Sequence, residues 1–235
     1  MRVASQNRVA ECEDKEAKTD REEAIYILKE INKLNAAYSK EFEKTIKSIN
    51  QKLREENIYL LQEDELDEEQ RAFIKDFYYQ KLCGYVLPTW FPATKQLKSS
   101  TDESIYLAVK MRRKDLSSKK AEYAFLELPV SISGRFVRLN DKDGKCYLTY
   151  LDDVIRCCLP LIFSGQNYTD FEAYSFKFTR DAEMEIDNDL RNGMLQKISK
   201  GVKSRKKGAP MRIVYDAAMP KVLLKHIMNT LYVDK

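Results

Sequence analysis

Apolar residues recur at steps of three and four through the first quarter of the chain. The series follows Asp20 and Glu23, which are spaced as a helix capping box. This spacing predicts a single helix of ~50 Å from about Glu22 to Glu55. Its apolar stripe consists of Ile25, Leu28, Ile31, Leu34, Tyr38, Phe42, Ile46, Ile49 and Leu53.

A second helical pattern runs from about Asp67 to Val86, after a short apolar connection at Ile58 to Leu61. Two helices joined by so short a turn favour an antiparallel pair, in which the stripe of the first helix packs on the second. An apolar stripe of this length could also serve a partner chain, but packing on the neighbouring helix is the favoured interpretation.

The segment Leu87 to Pro92 interrupts the helical pattern and marks a domain boundary. It separates a helical domain, residues 1–86, from a second domain, residues 87–235. Strand patterns follow, and Asp143-Gly144 predicts a hairpin turn. The predicted fold class is α+β: a long antiparallel helical pair followed by a mixed sheet domain with flanking helices. The strand patterns lie at 105–109, 123–126, 136–139 and 146–150, and a helix is predicted at 151–163.

The last quarter of the chain predicts a strand, a helix, a strand and a helix. Tyr174, Phe176 and Phe178 alternate with polar residues, as in a strand with one buried face that ends at Arg180. A basic amphipathic helix is predicted from Asp189 to Lys207. A strand at 211–215 follows, and Pro220 opens the final helix.

This order of motifs resembles the middle, or head, domain of bacterial polyphosphate kinases of the first type. Each motif alone is weak, whereas the ordered set is fairly specific. The motifs are Thr179-Arg180-Asp181-Ala182-Glu183, Arg205-Lys206-Lys207-Gly208, Met211-Arg212-Ile213-Val214 and Met219-Pro220. Earlier landmarks are Pro88, Arg135-Phe136-Val137, Leu151 to Ile155 and Phe163-Ser164-Gly165. Met1 to Ala4, Ile58 to Leu61 and Glu68 to Gln70 resemble the end of the family's helical N-terminal domain.

The resemblance implies the activity of a longer protein. Polyphosphate kinases use ATP and Mg²⁺, and they transfer the terminal phosphate reversibly to polyphosphate through a phosphohistidine. They are homodimers, and the head domain helps to form the subunit contacts. The family's chain begins earlier and continues into two catalytic domains, so we expect this chain to be an interior segment, to contain no catalytic residue, to bind no cofactor fully by itself and to be inactive alone.

The composition of the chain bears on where in the cell the protein is expected. The chain has 235 residues, a net charge of +4 and 33% charged residues, and it lacks an apolar run of the roughly 18 residues that cross a membrane. Residues 1–20 are charged and do not resemble a signal peptide. We therefore expect a cytoplasmic protein that is not inserted in a membrane. Five cysteines without a C-x-x-C pair predict neither disulfides nor a metal, and adjacent Cys157 and Cys158 are interpreted as core residues of a helix.

Five arginines are candidates for contact with phosphate or with a partner subunit. Guanidinium groups bind phosphate and carboxylate in a bidentate manner, yet a strand-terminal arginine such as Arg180 can equally form a structural ion pair with Asp181. The candidates are Arg180, Arg135, Arg138, Arg205 and Arg212. If several converge, we expect polyphosphate to bind in a salt-dependent manner.

The sequence contains few other residues that indicate a catalytic or phosphate-binding site. The single histidine, His226, does not match the family's catalytic motif and is interpreted as a packed or surface residue. Asp152 and Asp153 are interpreted as favourable charges at a helix start. Phosphate-binding glycine loops are absent from the sequence. The alternative functions are a non-enzymatic module that binds nucleic acid or another polyanion through Lys197 to Lys207, and a purely structural dimerisation piece.

Overall fold

The computed structural model describes residues 18–91, 104–113, 121–180 and 210–232. For residues 18–21, 180, 210, 211 and 232 it describes the backbone alone. The chain divides into two compact units, Met1–Tyr59 and Leu60–Lys235. The predicted basic helix at 189–207 lies outside the described residues, and the predicted domain boundary between residues 86 and 87 stays a prediction.

The first unit is dominated by one long helix, α1, which spans Lys18–Glu55. Its predicted C-terminal end is confirmed: Asn57 follows with a φ of 59°, the left-handed conformation that often terminates a helix. The predicted capping box is wrong, because Asp20 and Glu23 both lie inside the helix. The antiparallel pairing of α1 with a second helix stays a prediction.

After α1 the strands pair in antiparallel fashion and the helices pack beside them, which confirms the α+β class. The elements are β1 (Ile58–Leu61), α2 (Glu68–Phe77), β2 (Thr89–Trp90), β3 (Tyr106–Arg113), β4 (Glu122–Glu127), α3 (Val130–Ser133), β5 (Phe136–Arg138), β6 (Cys146–Tyr150), α4 (Leu151–Ile162), β7 (Tyr168–Arg180), β8 (Pro210–Tyr215) and α5 (Lys221–Tyr232).

The strands form two sheets. The smaller has the order β1-β6-β5, and the larger has the order β2-β4-β3-β7-β8. All four pairings in the larger sheet are antiparallel, whereas the sequence predicted a mixed sheet. In the smaller sheet, β5 and β6 form the predicted hairpin, with Asp143 and Gly144 at φ values of 53° and 73°.

Two segments interpreted as connections are strands. Ile58–Leu61 is β1, and the Leu87 to Pro92 segment contains β2, which pairs with β4 at the edge of the larger sheet. Thr89 opposes Phe125, 36 residues later in the chain. Pairing over that separation leaves no local signal, which is why the sequence pattern missed it.

The predicted helix from Asp67 to Val86 is shorter than expected. Asp67 caps α2 by accepting from the Gln70 backbone N–H at 2.8 Å, and the Gln70 side chain accepts from the Asp67 N–H at 3.0 Å. The α-helix ends at Phe77 and continues as a π-helical segment, Tyr78–Leu82. There the Cys83 N–H donates to the Tyr78 carbonyl at 2.9 Å, five residues back, so the turn is wider than an α-turn.

The core of the larger sheet is divided between its two faces. On one face, aromatic residues of β3, β4 and β7 pack under α5, and Phe176 and Phe178 are buried there as predicted. On the other face, the Ser175 hydroxyl donates to Asp152 of α4, and Phe171 stacks on Phe163 just after α4. The sheet is thus covered by one helix on each side, an arrangement that fixes α4 between the two sheets.

Candidate functional site

The five candidate arginines lie on different elements. Arg135 directly precedes β5 of the smaller sheet, Arg138 is the last residue of β5, and Arg212 lies on β8 of the larger sheet. Arg180 ends β7, but its side chain lies outside the described residues, as does Arg205 altogether. In the part of the chain that the structure describes, these arginines are not seen to converge on one surface, because even Arg135 and Arg138 are three positions apart on one extended segment, so that their side chains point to opposite faces.

The Arg135 side chain is bound to the start of α4. Its Nη2 lies 2.8 Å from Asp152 Oδ2, its guanidinium stacks over the Tyr150 ring at 5.7 Å, and its carbonyl accepts from the Leu151 N–H at 3.0 Å. The Asp152 side chain is only 7% exposed, whereas that of Arg135 is 33% exposed. Among the described residues, Arg135 Nη1 and Asp152 Oδ1 are buried atoms without a hydrogen-bond partner. A bound group that accepts a hydrogen bond from Arg135 Nη1 and donates one to Asp152 Oδ1 would satisfy both atoms.

The ion pair continues into a connected set of side chains that we call the arginine–carboxylate network: Arg135, Asp152, Ser175, Arg156 and Asp153. The Ser175 hydroxyl donates to Asp152 Oδ2 at 3.0 Å and accepts from Arg156 Nη2 at 2.9 Å. Arg156 Nη1 lies 2.7 Å from Asp153 Oδ1. The network joins the smaller sheet, α4 and the larger sheet through charge-assisted hydrogen bonds, which are the strong kind.

Burial shapes the acidity of the network. Burial raises the pKa of the Asp153 carboxyl above its ordinary 3.8, while Arg156 opposes the shift. Burial likewise raises the pKa of nearby Glu63 above 4.5, and Arg156 again opposes it. An acid whose pKa rises on folding holds its proton more tightly in the folded state, so each group lowers the stability as pH rises through the window above its ordinary pKa. Burial of the ionised Asp153 and Glu63 carboxylates thus destabilises the fold, and their attraction to Arg156 offsets part of that destabilisation.

Arg138 is the accessible counterpart of Arg135. Its side chain is 65% exposed, and its Nη2 lies 2.6 Å from Asp141 Oδ2. The hydrogen bond from Arg138 to Asp141 raises the pKa of the guanidinium. Arg138 also lines a groove of 580 Å³ between the α2 region and β5, with Phe73, Phe77 and Phe136 on its walls. An incoming phosphate or carboxylate could reach this guanidinium in competition with Asp141.

A second accessible cation lies on the larger sheet. Arg212 is exposed and opposes Thr179, and Val214 opposes Lys177. Strand alternation places these four side chains on the same face as Ser175. This part of the face therefore carries two basic residues, Lys177 and Arg212, beside the end of the arginine–carboxylate network.

His226 is packed against aromatic rings. Its ring centroid lies 4.8 Å from that of Tyr123 and 6.3 Å from that of Phe91. It projects from α5, which covers the larger sheet. This environment fits the packed histidine of the sequence interpretation.

Of the two cysteines of α4, Cys158 is the predicted core residue, whereas Cys157 is half-buried and lies 3.7 Å from Arg71 Nη1. Burial raises the pKa of Cys157 to about 11 and that of Cys158 to about 12. Since thiolates are the species that attack electrophiles and bind metals, both side chains are unreactive thiols at neutral pH. The searched residues, those that the structure describes, contain no group of three or more His, Cys, Asp or Glu that could hold a metal ion.

The sequence analysis missed the burial and the ion pairs of Asp152 and Asp153. They were interpreted as charges that favour a helix start, whereas the structure buries both and pairs each with an arginine. Arg156 lies three residues after Asp153, a spacing that places the two on one helix face and could have indicated the pair. The role of Ser175 had no local signal, because its partner lies 23 residues away.

Helices long and apolar enough to cross a membrane do not occur in residues 18–91, 104–113, 121–180 and 210–232.

Comparison with known proteins places the chain in a family. A family model described as "Polyphosphate kinase middle domain" matches residues 69–235. Curated relatives named polyphosphate kinase include those of Vibrio cholerae, 33% identical over 181 residues, and Escherichia coli K12, 30% identical over 182 residues. These alignments cover 75% and 76% of this chain but only 25% and 26% of the relatives.

A solved structure supports the fold. The polyphosphate kinase of Porphyromonas gingivalis matches with a TM-score of 0.69 and 22% identity, over 100% of this chain and 33% of that chain. The chain thus spans about a quarter to a third of the length of the proteins it matches. On the match to residues 69–235 and the sequence relatives, this chain belongs to the polyphosphate kinase family, in the part that corresponds to its middle domain.

Proposed function

We propose that this chain is the scaffold and subunit-contact segment of an ATP-polyphosphate phosphotransferase. The parent enzyme moves the terminal phosphate of ATP reversibly to polyphosphate through a phosphohistidine, with Mg²⁺ neutralising the charge on the transferring group. The observation that carries the proposal is the middle-domain match over residues 69–235. The short share of each relative that the chain covers supports a division of labour with other catalytic domains.

The catalytic histidine belongs, on this proposal, to those other domains. The chain has one histidine, and half-buried His226 lies against the rings of Tyr123 and Phe91. A phosphoryl acceptor needs an open approach to its ring nitrogen and positioned cations around the phosphate. The packing of His226 on α5 supports a structural role instead.

The arginines divide into two roles. Arg135 is a positioning residue, because its guanidinium forms an ion pair with Asp152 at the start of α4. Arg138 and Arg212 are exposed and are the described arginines we assign to contact with polyphosphate or a partner subunit. The same contacts would support a cytoplasmic homodimer in which this segment lies at the subunit boundary.

A pair of activity assays tests the proposal. The isolated chain, incubated with ATP and Mg²⁺, should yield no ADP-coupled polyphosphate, whereas Vibrio cholerae polyphosphate kinase assayed in parallel should yield it. Polyphosphate made by the isolated chain would contradict the scaffold role.

A chimera supplies the positive test. We expect the Vibrio cholerae enzyme to keep polyphosphate synthesis when its matching segment is replaced by residues 69–235 of this chain, since both belong to one family. The control is the same chimera with Arg135→Met, which should fold less stably. A chimera that is folded and dimeric but inactive would refute the proposal that this segment serves such an enzyme.

A further inference from the structure

The ion pair at the start of α4 is joined by a single hydrogen bond. Arg135 Nη2 lies 2.8 Å from Asp152 Oδ2, and the same oxygen accepts from the Ser175 hydroxyl at 3.0 Å. The second nitrogen, Nη1, and the second oxygen, Oδ1, are buried, and within the described part of the chain neither has a hydrogen-bond partner. A bidentate pair would join these two atoms directly. Here each of them needs a further group.

Burial makes the need for that group strong. A buried donor or acceptor without a partner is costly, most of all on a charged side chain, and native proteins satisfy nearly all such atoms with protein groups or ordered water. The Asp152 side chain is only 7% exposed, and the Tyr150 ring lies 5.7 Å from the Arg135 guanidinium. Bulk solvent is therefore shut out of this part of the ion pair.

The two atoms select the chemistry of the bound group. Guanidinium nitrogens only donate and ionised carboxylate oxygens only accept, so the group must accept from Arg135 and donate to Asp152. An anion would be repelled by Asp152 and a cation by Arg135. A neutral O–H group meets both requirements. The Nη2–Oδ2 bond keeps Nη1 and Oδ1 within a few ångströms of each other, a span that one small molecule can bridge.

The enclosure of the site favours water over the hydroxyl of a larger ligand. Such a ligand needs an open path from the surface, whereas a water molecule can be enclosed as the chain folds. Neither the groove lined by Arg138 nor the one lined by Glu127 and Ile132 has Arg135 or Asp152 in its walls.

We propose that Arg135 and Asp152 hold one internal water molecule, which accepts from Arg135 Nη1 and donates to Asp152 Oδ1. The water closes a ring of hydrogen bonds at the start of α4 and adds one member to the arginine–carboxylate network. It gives the segment before β5 a second hydrogen-bonded connection to α4. This inference rests on contacts within the chain and does not depend on the proposed function.

A crystal structure of the full chain tests the site directly. We expect an ordered water about 2.7–3.2 Å from both Arg135 Nη1 and Asp152 Oδ1. A direct bond between these two atoms, a protein group bonded to either of them, or an ion between them would overturn the inference. Two well-ordered side chains without water density between them would overturn it as well.

Oxygen-17 relaxation dispersion, which counts long-lived internal waters, tests the site in solution. The double variant Arg135→Met/Asp152→Leu removes both partners of the water, and it should fold because it leaves neither charge of the pair buried alone. We expect it to hold one internal water fewer than the unmodified chain.

The exposed ion pair of Arg138 and Asp141 provides the matched control. Its side chains are 65% and 49% exposed, so Arg138→Met/Asp141→Leu makes the same chemical change where no water is enclosed and should keep the full number of internal waters. Circular dichroism checks that both double variants are folded.

An unchanged number of internal waters in Arg135→Met/Asp152→Leu would contradict the proposed site, and so would an equal loss in the control. The crystal structure needs no substitution, so it remains a decisive test even if the first double variant does not fold. Neither measurement involves catalysis, so this inference and the proposed function can fail separately.

Discussion

Arg135 and Arg138 show how two identical residues on one strand segment acquire different tasks. Both occur in Arg135-Phe136-Val137-Arg138, and the sequence analysis interprets both as candidates for contact with phosphate or a partner subunit. The structure buries the Asp152 partner of Arg135, whereas the Asp141 partner of Arg138 is 49% exposed. Ion pairs in water contribute little to stability, but an unpaired buried carboxylate is costly. Burial of the partner therefore decides which arginine is structural.

This difference predicts unequal effects of the same substitution. Arg135→Met leaves Asp152 buried without its cation and should lower the free energy of unfolding by about 2 kcal/mol, less than the ~3–5 kcal/mol of a fully buried pair because Arg135 is partly exposed. Arg138→Met should leave the urea midpoint nearly unchanged. Urea denaturation followed by circular dichroism measures both. Equal losses in the two variants would show that the Arg135–Asp152 pair is not a buried determinant of stability.

At the scale of elements, α5 illustrates what apolar spacing can and cannot reveal. The sequence predicts that Val222, Leu223, Ile227 and Leu231 are apolar residues of this helix. The structure buries Leu223, Ile227 and Leu231, which are four residues apart, under the larger sheet, and leaves Val222 58% exposed. The period identified the helix, but only the position of the sheet determined which face is covered.

The buried face of α5 gives a second stability prediction. Ile227 is fully buried, so Ile227→Ala removes packed methyl groups, leaves a cavity and should cost ~2–5 kcal/mol. Val222→Ala removes methyl groups from the same helix at an exposed position and should cost less than ~0.5 kcal/mol. Thermal and urea unfolding of the two variants provide the measurement. A loss in Val222→Ala that matches the loss in Ile227→Ala would contradict the placement of α5 on the sheet.

At the scale of the whole molecule, the proposed function makes a polyanion the expected ligand. The chain carries a net charge of +4, and Arg138 and Arg212 are exposed cations on separate sheets. The nucleic-acid alternative was assigned to Lys197 to Lys207, which lies outside the described residues. The two ligands can be compared directly, because both bind through phosphate charge but only one is the substrate of the proposed parent enzyme.

We expect the chain to bind polyphosphate more tightly than single-stranded DNA at equal salt, and we expect both affinities to fall as NaCl rises. Arg212→Ala should weaken polyphosphate binding more than Lys44→Ala, which removes the same charge from an exposed position of α1. Fluorescence anisotropy with labelled ligands at several salt concentrations measures these affinities. Tighter binding of DNA than of polyphosphate at every salt concentration would favour the nucleic-acid module.

The sequence by itself determined the local elements and the family. Periods of three and four predicted α1 to its last residue, alternation predicted the strand that ends at Arg180, and Asp143-Gly144 predicted its hairpin, because each depends on neighbours within a few residues. Tertiary structure alone decided that Trp90 joins a sheet, that the sheet is antiparallel, and that Asp152 and Ser175 form one network with Arg135. Those features depend on contacts between distant segments, whose pairing is selected by burial of the whole core and leaves no trace in a local pattern.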